Sequence, residues 1–143
     1  MAGNFVYRKS KIMFTEQQLK EAHSRVKTGA DFPGYIKEIK QLGLLKYEFW
    51  VDNGRVIYYG SSGHQVNSDP KYPQIQIADN SSPEQLQHTI KIHQQGLTDF
   101  ITFCKQAAEA GVEKWVIDTQ KMLCIYYDSE NNEMVAEPIP QVE

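Results

Sequence analysis

"RVIYYG", residues 55–60, and "LCIYYD", residues 123–128, share a tripeptide, Ile57-Tyr58-Tyr59 and Ile125-Tyr126-Tyr127. An offset of 68 residues superposes them, and the match runs upstream without a gap to Asp31-Phe32 on Asp99-Phe100. Lys37 falls on Lys105, Gly43 on Gly111 and Lys46 on Lys114, so eight of 30 positions are identical. Unrelated stretches of ordinary composition give roughly two. With small gaps, "EQQLKEAH" at 16–23 matches "EQLQHTIKIH" at 84–93, and "DPKYPQI" at 69–75 matches "EPIPQV" at 137–142. The chain reads as a tandem duplication, with repeat one about 15–80 and repeat two about 82–142.

Each repeat has the pattern α-α-β-β-β. Thr15 and Gln18 form a capping box before Leu19, Ala22 and Val26, which predicts a helix over 16–27 stopped by Gly29. Pro33, the apolar Ile36, Ile39 and Leu42, and the breaker Gly43 predict a second over 33–42. Ser82, Pro83 and Gln85 open a third helix, and Thr98 caps a fourth that ends at Gly111. From Leu44 the period becomes two, with Leu45, Tyr47, Phe49 and Val51 alternating with Lys46, Glu48 and Trp50. Asn53-Gly54 supplies the two positive-φ positions of a type I′ turn. That turn sets Asp52 opposite Arg55, Phe49 opposite Tyr58 and Val51 opposite Val56, and leaves Trp50, Ile57 and Tyr59 on the other face. "GHQVN", "VEKWVID", "MLCIYYD" and "EMVAEPI" supply the remaining strands, while Pro70 and Pro73 keep 69–75 irregular. Thr119-Gln120-Lys121 has no such turn signal, so the register of the second hairpin stays open.

Neither half buries two helices and three short strands alone, so both share one core. The expected fold is α+β: one domain over 13–143, with a mainly antiparallel sheet packed against helices. Residues 1–12, with Arg8, Lys9 and Lys11, read as a flexible N-terminal extension. A chain of 143 residues with 41% hydrophobic content is of single-domain size. A net charge of −3 argues against a phosphate-binding surface, so nucleic acid is not an expected partner. Nothing resembles a signal peptide or a bilayer span, which leaves a soluble protein with no membrane role. Cys104 and Cys124 align with Ile36 and Val56, so both read as buried free thiols in a reducing cytoplasm.

Two sets of residues bear on function. His93 with Asp99, and His23 with Asp31, pair an imidazole with a carboxylate in each repeat. Such pairs suit general acid–base catalysis. They equally suit helix starts, with the carboxylates on free N–H groups and the imidazoles bonded across the helix–helix turns, and that reading is preferred. The second set is Trp50, Tyr59 and Tyr127, on a sheet face where a wet surface shows polar residues. Either helices cover both faces, the reading favoured here, or an aromatic patch is left for a ligand or partner. Metal-ligand spacing, phosphate loops and nucleophile elbows are missing, and His64 and His88 read as surface residues. No cofactor or metal is expected.

The stretches "FTEQQLKEAHSRVKTGADFPGYIKEIKQLG", "IYYG", "HQQGLTDFITFCKQAAEAGVEKWVID" and "YYD" together resemble the YbcV-like family of small bacterial and prophage-borne proteins, often labelled "phage envelope protein". The resemblance spans nearly all of 13–140 and implies a phage context, with Met13 matching the usual start and no catalytic residues carried over. The expected function is a binding or interaction module, leaning away from an enzyme, monomeric or homodimeric, with an unknown protein or small ligand held on the aromatic sheet face or in the cleft between repeats. The alternative is a small cytosolic enzyme using His93, Asp99, His23 and Asp31 on a small substrate.

Overall fold

The computed structural model describes residues 13–142, so the expected extension over 1–12 lies outside the described residues. Helix α1 spans Glu16–Ser24 behind the Thr15–Gln18 capping box, in which the Thr15 hydroxyl accepts from the Gln18 amide and the Gln18 side chain from that of Thr15. It stops three residues before the expected end, because the Lys27 and Thr28 amides bond to the Asp31 carboxylate instead of continuing the helix. Helix α2 is Phe32–Gln41, and β1 (Leu44–Trp50), β2 (Val56–Gly60) and β3 (Gln65–Asn67) follow. The second half repeats the order with α3 (Pro83–Gln94), α4 (Phe100–Glu109), β4 (Val112–Asp118), β5 (Leu123–Asp128) and β6 (Glu133–Pro138). Asp99, rather than Thr98, caps α4, because its carboxylate oxygen reaches the Thr102 amide at 2.9 Å.

The strands form one six-stranded antiparallel sheet in the order β3-β2-β1-β4-β5-β6. Each half thus adds a three-stranded meander, and the first strands of the two meanders pair at the centre. The registers obey the sequence offset: Lys46↔Tyr59, Tyr47↔Tyr58, Glu48↔Ile57 and Phe49↔Val56 in one hairpin correspond to Lys114↔Tyr127, Trp115↔Tyr126, Val116↔Ile125 and Ile117↔Cys124 in the other. Irregularities recur as well, between Leu44 and Lys46 and between Val112 and Lys114.

The type I′ register is therefore corrected. Phe49 pairs with Val56 and Tyr47 with Tyr58, so the strands meet two residues earlier than Asn53-Gly54 implies. Val51 is drawn out of the hairpin: its amide donates to the Glu113 carbonyl at 3.0 Å and its carbonyl accepts from the Tyr72 hydroxyl at 2.6 Å. Residues 51–54 become a four-residue loop in which only Gly54 is left-handed, at φ 77°, and the loop over 119–122 repeats it with Met122 at φ 55°. Thr119 occupies the place of Val51, its amide donating to the Leu45 carbonyl.

The four described α-helices lie on one face of the sheet. Tyr35, Ile36 and Ile39 of α2 and Phe103, Cys104 and Ala107 of α4 are buried against Tyr47, Phe49, Trp115, Ile117 and Tyr126. The core centres on Phe49 stacked on Trp115, with ring centroids 4.2 Å apart, and Phe100 and Phe103 meet the Trp115 ring edge-on. α1 joins this layer through His23 on Tyr35, and α3 through His93 on Phe103. The expectation that helices cover both faces fails for the described residues. One helix layer already buries the Tyr47 and Phe49 side of every strand, and no described helix is left for the other side.

Candidate functional site

Alternation along the strands sends Lys46, Glu48 and Trp50 of β1 and Lys114, Val116 and Asp118 of β4 to the face that carries none of the described helices. The register adds Ile57 and Tyr59 from β2 and Ile125 and Tyr127 from β5. Trp50, Tyr59 and Tyr127 thus stand on one surface, joined by charged residues that the aromatic pattern alone did not single out. Glu48 is the hub, only 9% exposed although none of the described helices covers it. Its Oε1 accepts from the Tyr59 hydroxyl at 3.0 Å, and its Oε2 lies 3.6 Å from Lys114 Nζ.

Lys114 also lies between two rings, 5.0 Å from the Trp50 centroid and 5.5 Å from that of Tyr127. Arg55 covers Trp50 at 4.7 Å and is itself held by Asp52 and Asn53, while Lys46 covers Tyr59 at 4.9 Å. Each cation–π contact contributes about 0.5–1 kcal/mol at an exposed site and more when water is excluded. Burial raises the Tyr59 hydroxyl pKa, as does its bond to Glu48, and burial with nearby Glu133 raises that of Tyr127, so both phenols stay protonated as donors. The Trp50 indole N–H is buried and has no hydrogen-bond partner among the described residues. The arrangement offers flat rings, ammonium groups and an unmet donor; among the described residues it offers no nucleophile paired with a base.

The histidines and aspartates stand elsewhere, and no hydrogen bond or ion pair joins His93 to Asp99 or His23 to Asp31. His93 Nδ1 lies 3.0 Å from the Thr98 carbonyl and 3.1 Å from its hydroxyl, with the ring stacked on Phe103. Asp99 caps α4, and the Thr102 bonds hold its pKa down. His23 meets Tyr35 edge-on at 5.5 Å, and burial followed by the charge of Lys71 lowers its pKa. Asp31 departs from the expected helix cap, because its carboxylate bonds backwards to Lys27 and Thr28, which lower its pKa. Burial raises the Cys104 thiol to about 11 and the Cys124 thiol to about 12, and both are free. His64 Nε2 sits 2.7 Å from the Phe14 carbonyl. Among the described residues no group of three or more His, Cys, Asp or Glu is placed to hold a metal ion, and no helix is long and apolar enough to cross a membrane.

Sequence reasoning missed Glu48, Arg55 and Lys114. One signal was present: Lys46 and Lys114 coincide at the 68-residue offset.

Fold and site together define an α+β protein whose sheet is backed by helices on one side and carries an aromatic, charge-linked surface on the other. A family model described as "Protein of unknown function (DUF1398)" matches residues 20–138, and the chain belongs to that family. No curated protein matches the chain.

Proposed function

We propose that the protein is a non-catalytic binding module whose ligand lies on the sheet face bearing Trp50, Tyr59 and Tyr127. The observation that carries this reading is the Trp50 indole N–H, buried beside Arg55 and Lys114 without a partner among the described residues. A buried donor left unpaired costs about 1–3 kcal/mol, which a ligand acceptor recovers. The flanking cations make an anionic acceptor the best match, and the neighbouring rings suit a flat apolar body. The ligand class is therefore a small planar molecule with a carboxylate- or sulfonate-like edge.

Anilinonaphthalene sulfonate is a probe of that chemistry. The native protein is expected to bind it saturably, with quenching or a shift of Trp50 emission. Trp50→Phe and Lys114→Met are each expected to weaken binding about ten-fold, the first with little change in melting temperature and the second with a larger drop because it leaves the Glu48 carboxylate without its ion pair. Binding untouched by both substitutions would place the dye elsewhere and overturn this reading.

The resemblance to YbcV-like proteins supports a bacterial, phage-associated setting for the module, and the two buried free thiols support a reducing cytoplasm. Fractionation of cells producing the chain checks the compartment: recovery with membranes or periplasm sinks the cytoplasmic assignment.

A further inference from the structure

The two sheet edges differ. β3 is three residues long, and Ser68 turns back at its end to bond Val56 through both its amide and its hydroxyl. β6 is twice that length and pairs only with β5 among the described residues. One side of its backbone therefore presents N–H and C=O groups that specify another strand.

Beside this edge runs a groove of about 310 Å³ between β6 and α3. Gln87, Ile90, Lys91 and Gln94 follow one another on a single face of α3, and Val135 and Glu137 line the opposite wall. The pairing of Val135 with Tyr126 and of Glu137 with Cys124 turns both side chains toward the helix layer. A strand edge beside a helix is the geometry in which a peptide is added to a sheet, with main-chain bonds supplying affinity and side-chain pockets supplying selectivity.

Charge selects the occupant. Glu133 and Glu137 both lie on β6, and among the described residues neither makes an ion pair, not even with Lys91 on the facing wall of the groove. The β6 strand of a second copy carries two carboxylates and no cation, so it has nothing to set against Glu137. Glu137 is half-buried, and that burial raises its pKa despite its bond to Gln94. A cation beside it relieves this cost.

We propose that the β6 edge, with the groove beside α3, receives an extended segment of a partner protein as a seventh strand, with a lysine or arginine of that segment set against Glu137. This surface is separate from the Trp50 face, so either assignment stands or falls alone.

The probe is an acetylated peptide alternating lysine and valine, titrated into the full chain and followed by amide NMR shifts and hydrogen exchange. The expected result is saturable movement of the Val135, Ala136 and Glu137 amides and slowed exchange along β6. Glu137→Gln is expected to weaken binding about ten-fold, the loss of one charge-assisted contact. The same peptide N-methylated at alternate residues, which tests the backbone bonds without altering the protein, is expected not to bind. Equal binding of the methylated peptide, equal binding of a glutamate–valine peptide, movement confined to Trp50 and Tyr127, or no movement at millimolar peptide each overturns the proposal. So does a concentration-dependent dimer whose exchange protection maps to β6.

Discussion

Glu48 on β1 stands directly across from Val116 on β4, and the two residues lie 68 positions apart in the chain. Each is therefore the other's counterpart at the offset that relates the two IYY segments. Pairing around this point reads the same from either half, with Lys46↔Asp118 mirrored by Trp50↔Lys114. The side chains at the centre differ: a carboxylate bonded to Tyr59 and Lys114 faces an isopropyl group.

That asymmetry makes Val116→Glu a sharp test. A second carboxylate would face Glu48 across the ladder with Lys114 as the nearest cation, and the protein is expected to lose about 2 kcal/mol. Combined with Glu48→Gln, which keeps the acceptor for Tyr59, the loss is expected to shrink by at least about 0.5 kcal/mol. Urea unfolding of the four proteins measures this coupling, and strictly additive losses would show that the two positions do not meet.

His93→Ala is expected to lower stability by roughly 1–2 kcal/mol, because it removes the bond to Thr98 and the stacked ring on Phe103 together. Affinity for the sulfonate probe is expected to stay constant, since Trp50 is on the opposite face. An unchanged melting temperature, or a lost ligand, would return His93 to the list of active groups.

The thiols predict alkaline behaviour. Burial raises Cys104 and Cys124 from the ordinary value of 9.0 to about 11 and about 12, so the unfolded chain releases these protons first. Their contribution is full below pH 9 and is lost as pH rises through the folded values. Cys104→Ala/Cys124→Ala is expected to flatten the fall in urea midpoint between pH 9 and 10.5 relative to wild type. At pH 8, native thiols are expected to react with an aromatic disulfide far more slowly than unfolded ones; rapid labelling of native Cys104 defeats the core assignment.

Gly43 and Gly111 are counterparts, each following a helix at positive φ, 102° and 95°. Their surroundings differ: a Cβ at Gly43 meets open space, whereas one at Gly111 falls 2.4 Å from the Asn80 carbonyl oxygen. Gly43→Ala is expected to cost about 1–2 kcal/mol from backbone strain. Gly111→Ala is expected to cost clearly more or to prevent folding, and equal thermal shifts in the two variants would contradict that crowding.

The offset predicts that residues 31–60 superpose on 99–128, and a common origin by tandem duplication is the history we propose for it. An experimental structure in which the two segments differ in connectivity would end that history.

What the amino-acid sequence determined by itself was set by neighbours a few residues apart. Thr15 and Gln18, Ser82 and Pro83, and Gly43 and Gly111 mark helix ends, because caps satisfy the same chain's nearest amides and glycine admits the left-handed turn. Alternation announced the strands, and the IYY repeat announced two α-α-β-β-β units, an order that the elements follow. The tertiary structure decided what distant groups arbitrate. Asn53-Gly54 favoured a two-residue turn, but the Glu113 carbonyl and the Tyr72 hydroxyl took Val51 and moved the register by two. It also decided which face the helices cover, and with it that Glu48, Trp50, Arg55 and Lys114 would share a surface with Tyr59 and Tyr127. Tyr47 and Phe49 on one face of the first hairpin and Trp50, Ile57 and Tyr59 on the other are all apolar or aromatic, and only packing between segments more than 60 residues apart, with β1 paired to β4, set the first face against the described helices.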